Sequence, residues 1–271
     1  MSRRIRPYLQ AVEGLTQTLK AAGLPFRVVF MEEEPDAGEP EDVRPLPGGR
    51  VRVAVGPEAG RLLKESSPDP DRFFFMMILD SENVFAETPR ACGVSLRIPV
   101  SRQLTEIQTA LPEIRRIGIL FNPDHNADFF AAARTIGLEL GLSLVPLEVH
   151  SRREIPGVVR TDPGDVEAIW LIPDRTVISE SVVQFIIKEA LLRRTPVIGF
   201  NRFFYESGAL LSFIIDYGEV GRQTARLVLE AIEADRCAIM SPDYRVWVNA
   251  RVRRRLGVKI GDPFGGNGRE P

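Results

Sequence analysis

Along the chain, short apolar runs rich in Val, Ile and Phe alternate with stretches whose apolar residues recur at helical spacing. That alternation predicts an α/β protein built from parallel βαβ units. Leu9, Val12, Leu15 and Leu19 mark one face of a helix over Tyr8–Ala22, which Gly23 and Pro25 end. Strands are predicted at Phe26–Met31, Val51–Val55, Phe73–Leu79 and Gly93–Ile98. The first two are dense in apolar residues, as strands buried on both faces and flanking a central partner would be. Glu32–Arg50, rich in Glu, Pro and Gly, reads as a loop. Gly56-Pro57-Glu58 then opens a helix over Pro57–Glu65, since Pro costs no hydrogen bond in a first turn and Glu suits the positive end of the helix dipole.

After Pro99 the rhythm restarts, which predicts a second unit. Its helices are Arg102–Leu111, Ala127–Leu140, a short one near Arg152–Val159, Ser179–Arg193 and a short one near Arg202–Glu206. Its strands are Ile117–Phe121, Ser143–Glu148, Ala168–Ile172, Val197–Phe200 and Leu210–Ile214, followed by a helix at Glu219–Ala234 and a last strand near Arg245–Val248. The Gly- and Pro-rich tail Gly261–Pro271 is expected to be disordered. Three strand ends carry the same punctuation: Phe121-Asn122-Pro123-Asp124, Leu171-Ile172-Pro173-Asp174 and Ile214-Ile215-Asp216-Tyr217. Doubly wound sheets bind ligands beyond the carboxyl ends of their strands, so these are candidate site positions. The plainer reading makes Asp124 and Asp174 helix caps, and Asn122 and Asp216 turn residues.

Composition narrows the function classes. Of 271 residues, 44% are hydrophobic and 27% charged, the balance of an ordinary globular chain. Lys and Arg number 35 against 37 Asp and Glu, a net charge of −2 without long single-sign blocks, so nucleic acid is a poor partner. The longest apolar run, Phe73–Leu79, is strand-sized and far short of the ~20 residues of a membrane-spanning helix. Met1–Pro7 has the charges of a signal n-region with no apolar h-region after them. Two cysteines, Cys92 and Cys237, without CxxC spacing, and two histidines, His125 and His150, make a metal site or a Cys/His nucleophile improbable. No GxSxG, GxxxxGK[ST], GxGxxG or HExxH occurs, so neither catalytic machinery nor a cofactor is indicated.

From Gln103 to Gly257 the chain resembles a known family. The resemblance rests on Gln103-Leu104, Leu111-Pro112, Arg116-Ile117-Gly118-Ile119-Leu120-Phe121-Asn122-Pro123, Leu138-Glu139-Leu140-Gly141-Leu142, Ala168-Ile169-Trp170-Leu171-Ile172-Pro173-Asp174, Pro196-Val197-Ile198-Gly199-Phe200, Ser207-Gly208-Ala209-Leu210-Leu211-Ser212, Asp216-Tyr217 with Gly221, and Val248-Asn249 before Leu256-Gly257. Pro7-Tyr8, Val55-Gly56-Pro57 with Ala59, and Gly93-Val94-Ser95 match more loosely. The order and spacing are similar to those of ABC-transporter substrate-binding proteins, in the branch whose better-known members bind tryptophan or other aromatic amino acids.

That resemblance implies a type I periplasmic-binding-protein fold, two Rossmann-like lobes with parallel sheets joined by a hinge and a solute held between them. Lobe one is expected at residues 1–98 plus 217–237 and lobe two at 99–216 plus 238–260. The implied ligand-binding residues are Tyr8, Gly56, Glu58, Ala59, Asn122, Asp174, Asp216 and Tyr217. The implied function is a non-enzymatic, monomeric solute-binding component of an ABC importer. It would serve a membrane permease, take a small molecule such as an amino acid, and sit in the periplasm or anchored outside the cytoplasm. A ligand-sensing module of the same fold, acting on a kinase or regulator, is the alternative, and an enzyme on a doubly wound scaffold is a third reading.

The sequence also departs from the family. The family's signal and its first, central strand of lobe one are missing, so the chain as written is expected to begin late and leave lobe one incomplete. Where members present a Thr or Ser after the third strand, this chain has Gly56-Pro57-Glu58-Ala59. Pro57 has no N–H, so the N–H groups of Glu58 and Ala59 become the candidate carboxylate donors. Cys92 is expected at a strand start and Cys237 just past a helix end, both without a functional role and as free thiols.

Overall fold

The computed structural model describes residues 1, 5–31, 51–66, 73–79, 81–85, 88, 91–160, 166–234 and 236–261. In chain order the elements are α1 (Arg6–Ala21), β1 (Arg52–Val55), α2 (Pro57–Ser66), β2 (Phe73–Ile78), α3 (Ser81–Val84) and β3 (Ala91–Ser95). Next come α4 (Val100–Ala110), β4 (Arg116–Phe121), α5 (Pro123–Glu139), β5 (Ser143–Glu148), α6 (Ile155–Arg160), β6 (Ala168–Leu171), α7 (Glu180–Leu192), β7 (Val197–Gly199), α8 (Arg202–Ser207) and β8 (Leu211–Ile215). The chain continues through α9 (Tyr217–Ala234), β9 (Ile239–Met240), β10 (Tyr244–Val248) and α10 (Ala250–Leu256).

Two compact units result: Met1–Ile98 with Ile215–Tyr244, and Pro99–Ile214 with Arg245–Pro271. The chain passes between them three times. Compared with the boundaries read from sequence, Ile215, Asp216 and residues 238–244 belong to lobe one. The reason is β9, which pairs in parallel with β3 and so extends the lobe-one sheet.

The lobe-one sheet has the order β1-β2-β3-β9. Both faces of β2 are buried, and successive side chains divide between two clusters as the period of a strand requires. Phe73 and Phe75 pack with Phe85, Phe75 stacking on it at 4.7 Å between ring centroids. Phe74 and Met76 instead join the cluster formed with α1 and α9. Those helices approach until backbones touch. A Cβ on Gly14 would lie 2.0 Å from the carbonyl oxygen of Gly218, and one on Gly221 would lie 1.9 Å from that of Ala11.

Lobe two is a six-stranded sheet of order β10-β8-β7-β6-β4-β5. Its core mixes Leu120, Ile169, Leu171 and Val197 from strands with Ile186 and Ile187 from α7. At the edge, Ser143 N donates to Arg115 O and Val149 N to Phe121 O, so the backbone N–H groups of the even-numbered residues of β5 point away from β4. Pro146 falls among them and removes the central outward donor, which blunts this edge against further strand pairing.

Four sequence expectations change. Phe26–Met31 is not a strand: residues 24–30 carry no strand pairing, and Phe26, Val28, Val29 and Met31 are 37% to 48% exposed. Met1 bridges the segment, its amine donating to Val29 O at 2.8 Å while Met31 N donates to Met1 O at 3.1 Å. An apolar run states what is available to bury, but a strand needs a neighbour to pair with. Second, the strand expected at Gly93–Ile98 starts and ends earlier, at Ala91–Ser95. Third, α3, β9 and α10 were not foreseen, and all are short or polar. Fourth, Cys92 and Cys237 form a disulfide with Cα atoms 5.2 Å apart, and no free cysteine remains. Gly93 pairs with Ile239, so strand pairing itself sets the two cysteines at bridging distance. The Glu32–Arg50 loop and residues 262–271 of the tail lie outside the described residues.

Candidate functional site

The carboxyl edge of lobe two is organised around Asp174, just after β6, and Asn122, just after β4. Both are buried, at 2% and 4% exposure. Asn122 caps α5, accepting from Asp124 N at 2.9 Å, with Pro123 pre-set for the first turn. Its Nδ2 donates to Thr176 Oγ1 at 3.0 Å and to His150 O at 3.4 Å.

Asp174 receives donors on both oxygens. Oδ2 accepts from Asn122 N at 2.8 Å and Asn126 Nδ2 at 2.7 Å, while Oδ1 accepts from Thr176 N at 2.8 Å and Val177 N at 3.4 Å. Four N–H donors occupy a carboxylate that has about four acceptor positions. Burial of that charge is tolerable because it is hydrogen-bonded on every side. Asn126 lies at a non-helical kink in α5, φ −134° and ψ 19°, which bends the helix start toward Pro173 and Asp174. Asn126 and Thr176 escape a sequence reading because their role depends on β4 and β6 lying side by side.

The carboxyl edge of lobe one is assembled differently. Gly56, at φ +88°, turns the chain from β1 into α2, and its N–H bonds Met76 O at 3.0 Å. Only glycine enters that backbone region without strain. Glu58 and Ala59 form the first turn of α2, where Ala59 is buried and Glu58 half-buried. On the neighbouring strand, Met77 adopts φ 62° at a register shift between Met76 and Ile78, a bulge that interrupts β2 just before this edge.

Asp216 follows β8 and caps α9, its Oδ1 accepting from Glu219 N at 3.1 Å. Its side chain is exposed, unlike that of Asp174. Tyr217 is half-buried, and burial raises its hydroxyl pKa above the usual value. Tyr217, Ile215 and Tyr8 pack against the same apolar cluster.

Beside Asp216 stands a charge chain that the sequence reading passed over. Arg222 Nε donates to Glu219 Oε2 at 2.6 Å, and Arg226 Nη2 donates to Glu219 Oε1 at 2.7 Å. Burial pushes the Glu219 pKa up, but the hydrogen bonds from Arg226 and Arg222 outweigh it and hold the carboxyl below its usual range. The spacing of these three residues on α9 was the available signal.

Of the eight expected site residues, lobe two contributes Asn122 and Asp174, joined in one network. Lobe one contributes Gly56, Glu58 and Ala59 at the turn into α2, and Tyr8, Asp216 and Tyr217 around the starts of α1 and α9. Among the described residues, no three His, Cys, Asp or Glu side chains are grouped to hold a metal ion, and no helix is long and apolar enough to cross a membrane.

Two α/β units with parallel sheets, traversed three times by the chain, define the type I periplasmic-binding-protein fold, and solved structures share it. The ligand-free, open form of a substrate-binding protein with adhesive properties from Clostridium difficile matches with a TM-score of 0.77 at 16% identity, over 97% of this chain and 95% of that one. An ABC domain from Streptococcus pneumoniae in complex with L-Trp matches at 0.64 and 20% identity, over 95% and 92%. A conserved domain protein from Vibrio cholerae matches at 0.64 and 19%, over 96% and 94%. No curated protein matches in sequence. Residues 83–262 match the family described as ABC transporter substrate binding protein, and the chain belongs to that family.

Proposed function

We propose that this protein is the solute-binding component of an ABC importer, capturing a small amine-bearing carboxylate such as an amino acid and presenting it to a membrane permease. It binds as a monomer and performs no chemistry on the solute. A solute that binds one conformation better than another shifts the population toward it, which is the form a permease recognises.

The observation that carries the reading is the contrast between the two aspartates. Asp174 is saturated and buried, whereas Asp216 is exposed with its Oδ2 accepting no hydrogen bond from the described residues. Asp216 is therefore the acid open to a solute ammonium group, while Asp174 and Asn122 set the shape of the lobe-two edge. Tyr8, Tyr217 and the turn Gly56–Ala59 complete the lobe-one half. The disulfide between Cys92 and Cys237 supports action outside the cytoplasm, because such bonds persist in oxidising compartments.

Isothermal titration with the twenty L-amino acids tests this reading. The wild-type chain should bind at least one of them, and Asp216→Asn should bind it about tenfold or more weakly with an unchanged melting temperature. Unchanged affinity in Asp216→Asn returns that residue to a capping role.

A further inference from the structure

Resting on the reading that Asp216 meets the solute, we propose that Arg222 recognises the solute's carboxylate, so that lobe one selects molecules carrying an ammonium and a carboxylate close together. Arg222 uses one edge of its guanidinium on Glu219, through Nε. Its Nη1 and Nη2 donate to none of the described residues, and the side chain is 40% exposed, within reach of a ligand. Asp216 is left with Oδ2, since Oδ1 caps α9.

The carboxylate of Asp216, through its capping oxygen Oδ1, and the Nη groups of Arg222 both border the position of Gly218. A Cβ on Gly218 would lie 3.2 Å from Asp216 Oδ1 and 3.5 Å and 3.8 Å from Arg222 Nη1 and Nη2. Asp216 attracts Arg222 electrostatically without an ion-pair contact, and Arg222's ion pair is with Glu219 at 2.6 Å. Glu219 is itself anchored by Arg226 at 2.7 Å. The clamp draws the guanidinium to the Glu219 side and leaves the paired Nη groups unspent, an arrangement suited to bidentate carboxylate binding. The close contact of Gly218 O with Gly14 fixes the start of α9 against α1, so the aspartate and the arginine are presented from one rigid element.

The chemistry that follows is selective in both directions. A simple amine satisfies Asp216 but is repelled by Arg222, and a simple carboxylate satisfies Arg222 but is repelled by Asp216. A zwitterion satisfies both, and each charge-assisted hydrogen bond it gains is worth about 10- to 100-fold in affinity.

The test is calorimetry on the full chain with matched pairs: L-tryptophan against tryptamine, L-tyrosine against tyramine, and L-leucine against 3-methylbutylamine. The wild-type protein should prefer the amino acid of at least one pair by about tenfold or more. Arg222→Gln should lose that preference while keeping or gaining affinity for the amine, and Arg222→Lys should recover only part of it, because an ammonium lacks the two-pronged fork. Melting temperatures of all variants separate recognition from misfolding, and Glu219→Gln, which frees the guanidinium without removing its charge, should weaken the preference less than Arg222→Gln. An Arg222→Gln protein that discriminates as the wild type does, or that loses amine and amino acid equally, overturns the assignment of Arg222 alone. A wild-type protein that binds no amino acid overturns the amino-acid reading and this inference with it.

Discussion

Two acids lie beyond parallel strands of the lobe-two sheet, Asp174 after β6 and Asp216 after β8, where the chain enters lobe one, and the molecule treats them in opposite ways. In lobe two Asp174 is enclosed and bound by four donors, two from residues 122–126 and two from Thr176 and Val177, so it has become part of the scaffold. In lobe one Asp216 spends one oxygen on a helix cap and stays in solvent beside a clamped arginine. Side-chain chemistry is identical in the two cases. What differs is how many backbone N–H groups the fold aims at the carboxylate, and that number decides between structure and recognition. The lobes also differ in how they are held. Lobe two relies on a continuous six-stranded sheet, while lobe one has four strands, a disulfide and a glycine-mediated helix contact.

The largest expected effect comes from removing the staple of lobe one. The disulfide closes a span of 145 residues that contains most of lobe two, and cross-links closing long loops stabilise by about 2–5 kcal/mol. The double variant Cys92→Ser with Cys237→Ser should lose that amount in urea unfolding. Hydrogen exchange should accelerate in β3, β9 and α9 more than in β4 to β8, and uniform acceleration across both lobes would break the contrast between them.

A smaller loss, about 2–3 kcal/mol, is expected for Asp174→Asn, which turns an acceptor toward backbone donors into a partial donor inside lobe two. The change should appear in melting temperature, with lobe two affected first. A melting temperature equal to wild type would show that Asp174 is dispensable to the scaffold and reopen it as a ligand group.

The smallest effect is in the response to acid. Glu219 in lobe one and Glu167 in lobe two both have pKa values lowered from 4.5, Glu167 chiefly by hydrogen bonds from Arg115 N and Arg116 N at 2.5 Å and 2.8 Å. A depressed carboxylate stabilises the fold fully above its ordinary pKa and loses that contribution as pH falls through the folded value. Stability should therefore decline below about pH 4.5, and Glu167→Gln and Glu219→Gln should each flatten the decline. An acid limb unchanged in both variants would remove these two groups from the account.

Much of the architecture was legible from sequence because its signals are local. Ser179 and Asn201 each sit where a polar side chain must cap a helix, and each accepts a bond from a backbone N–H in the first turn. Gly208 stops α8 in a left-handed conformation that glycine tolerates. Phe73 to Ile78 could be little other than a strand covered on both faces. The strand ends also pointed to Asn122, Asp174 and Asp216, since turn residues after apolar runs mark the edge where this class of sheet exposes polar groups.

What the sequence left open depended on neighbours far along the chain. The run Phe26–Met31 has the composition of a buried strand, yet its exposure was set by what lies beside it. Cys92 and Cys237 became partners because β9 aligns with β3, a pairing between residues 145 apart that neither cysteine's surroundings encode. Asp174 and Asp216 were indistinguishable as letters. Tertiary structure separated them by bringing Asn122, Asn126, Thr176 and Val177 around one and leaving the other beside Arg222, because hydrogen-bond saturation is a property of converging segments and not of any one of them.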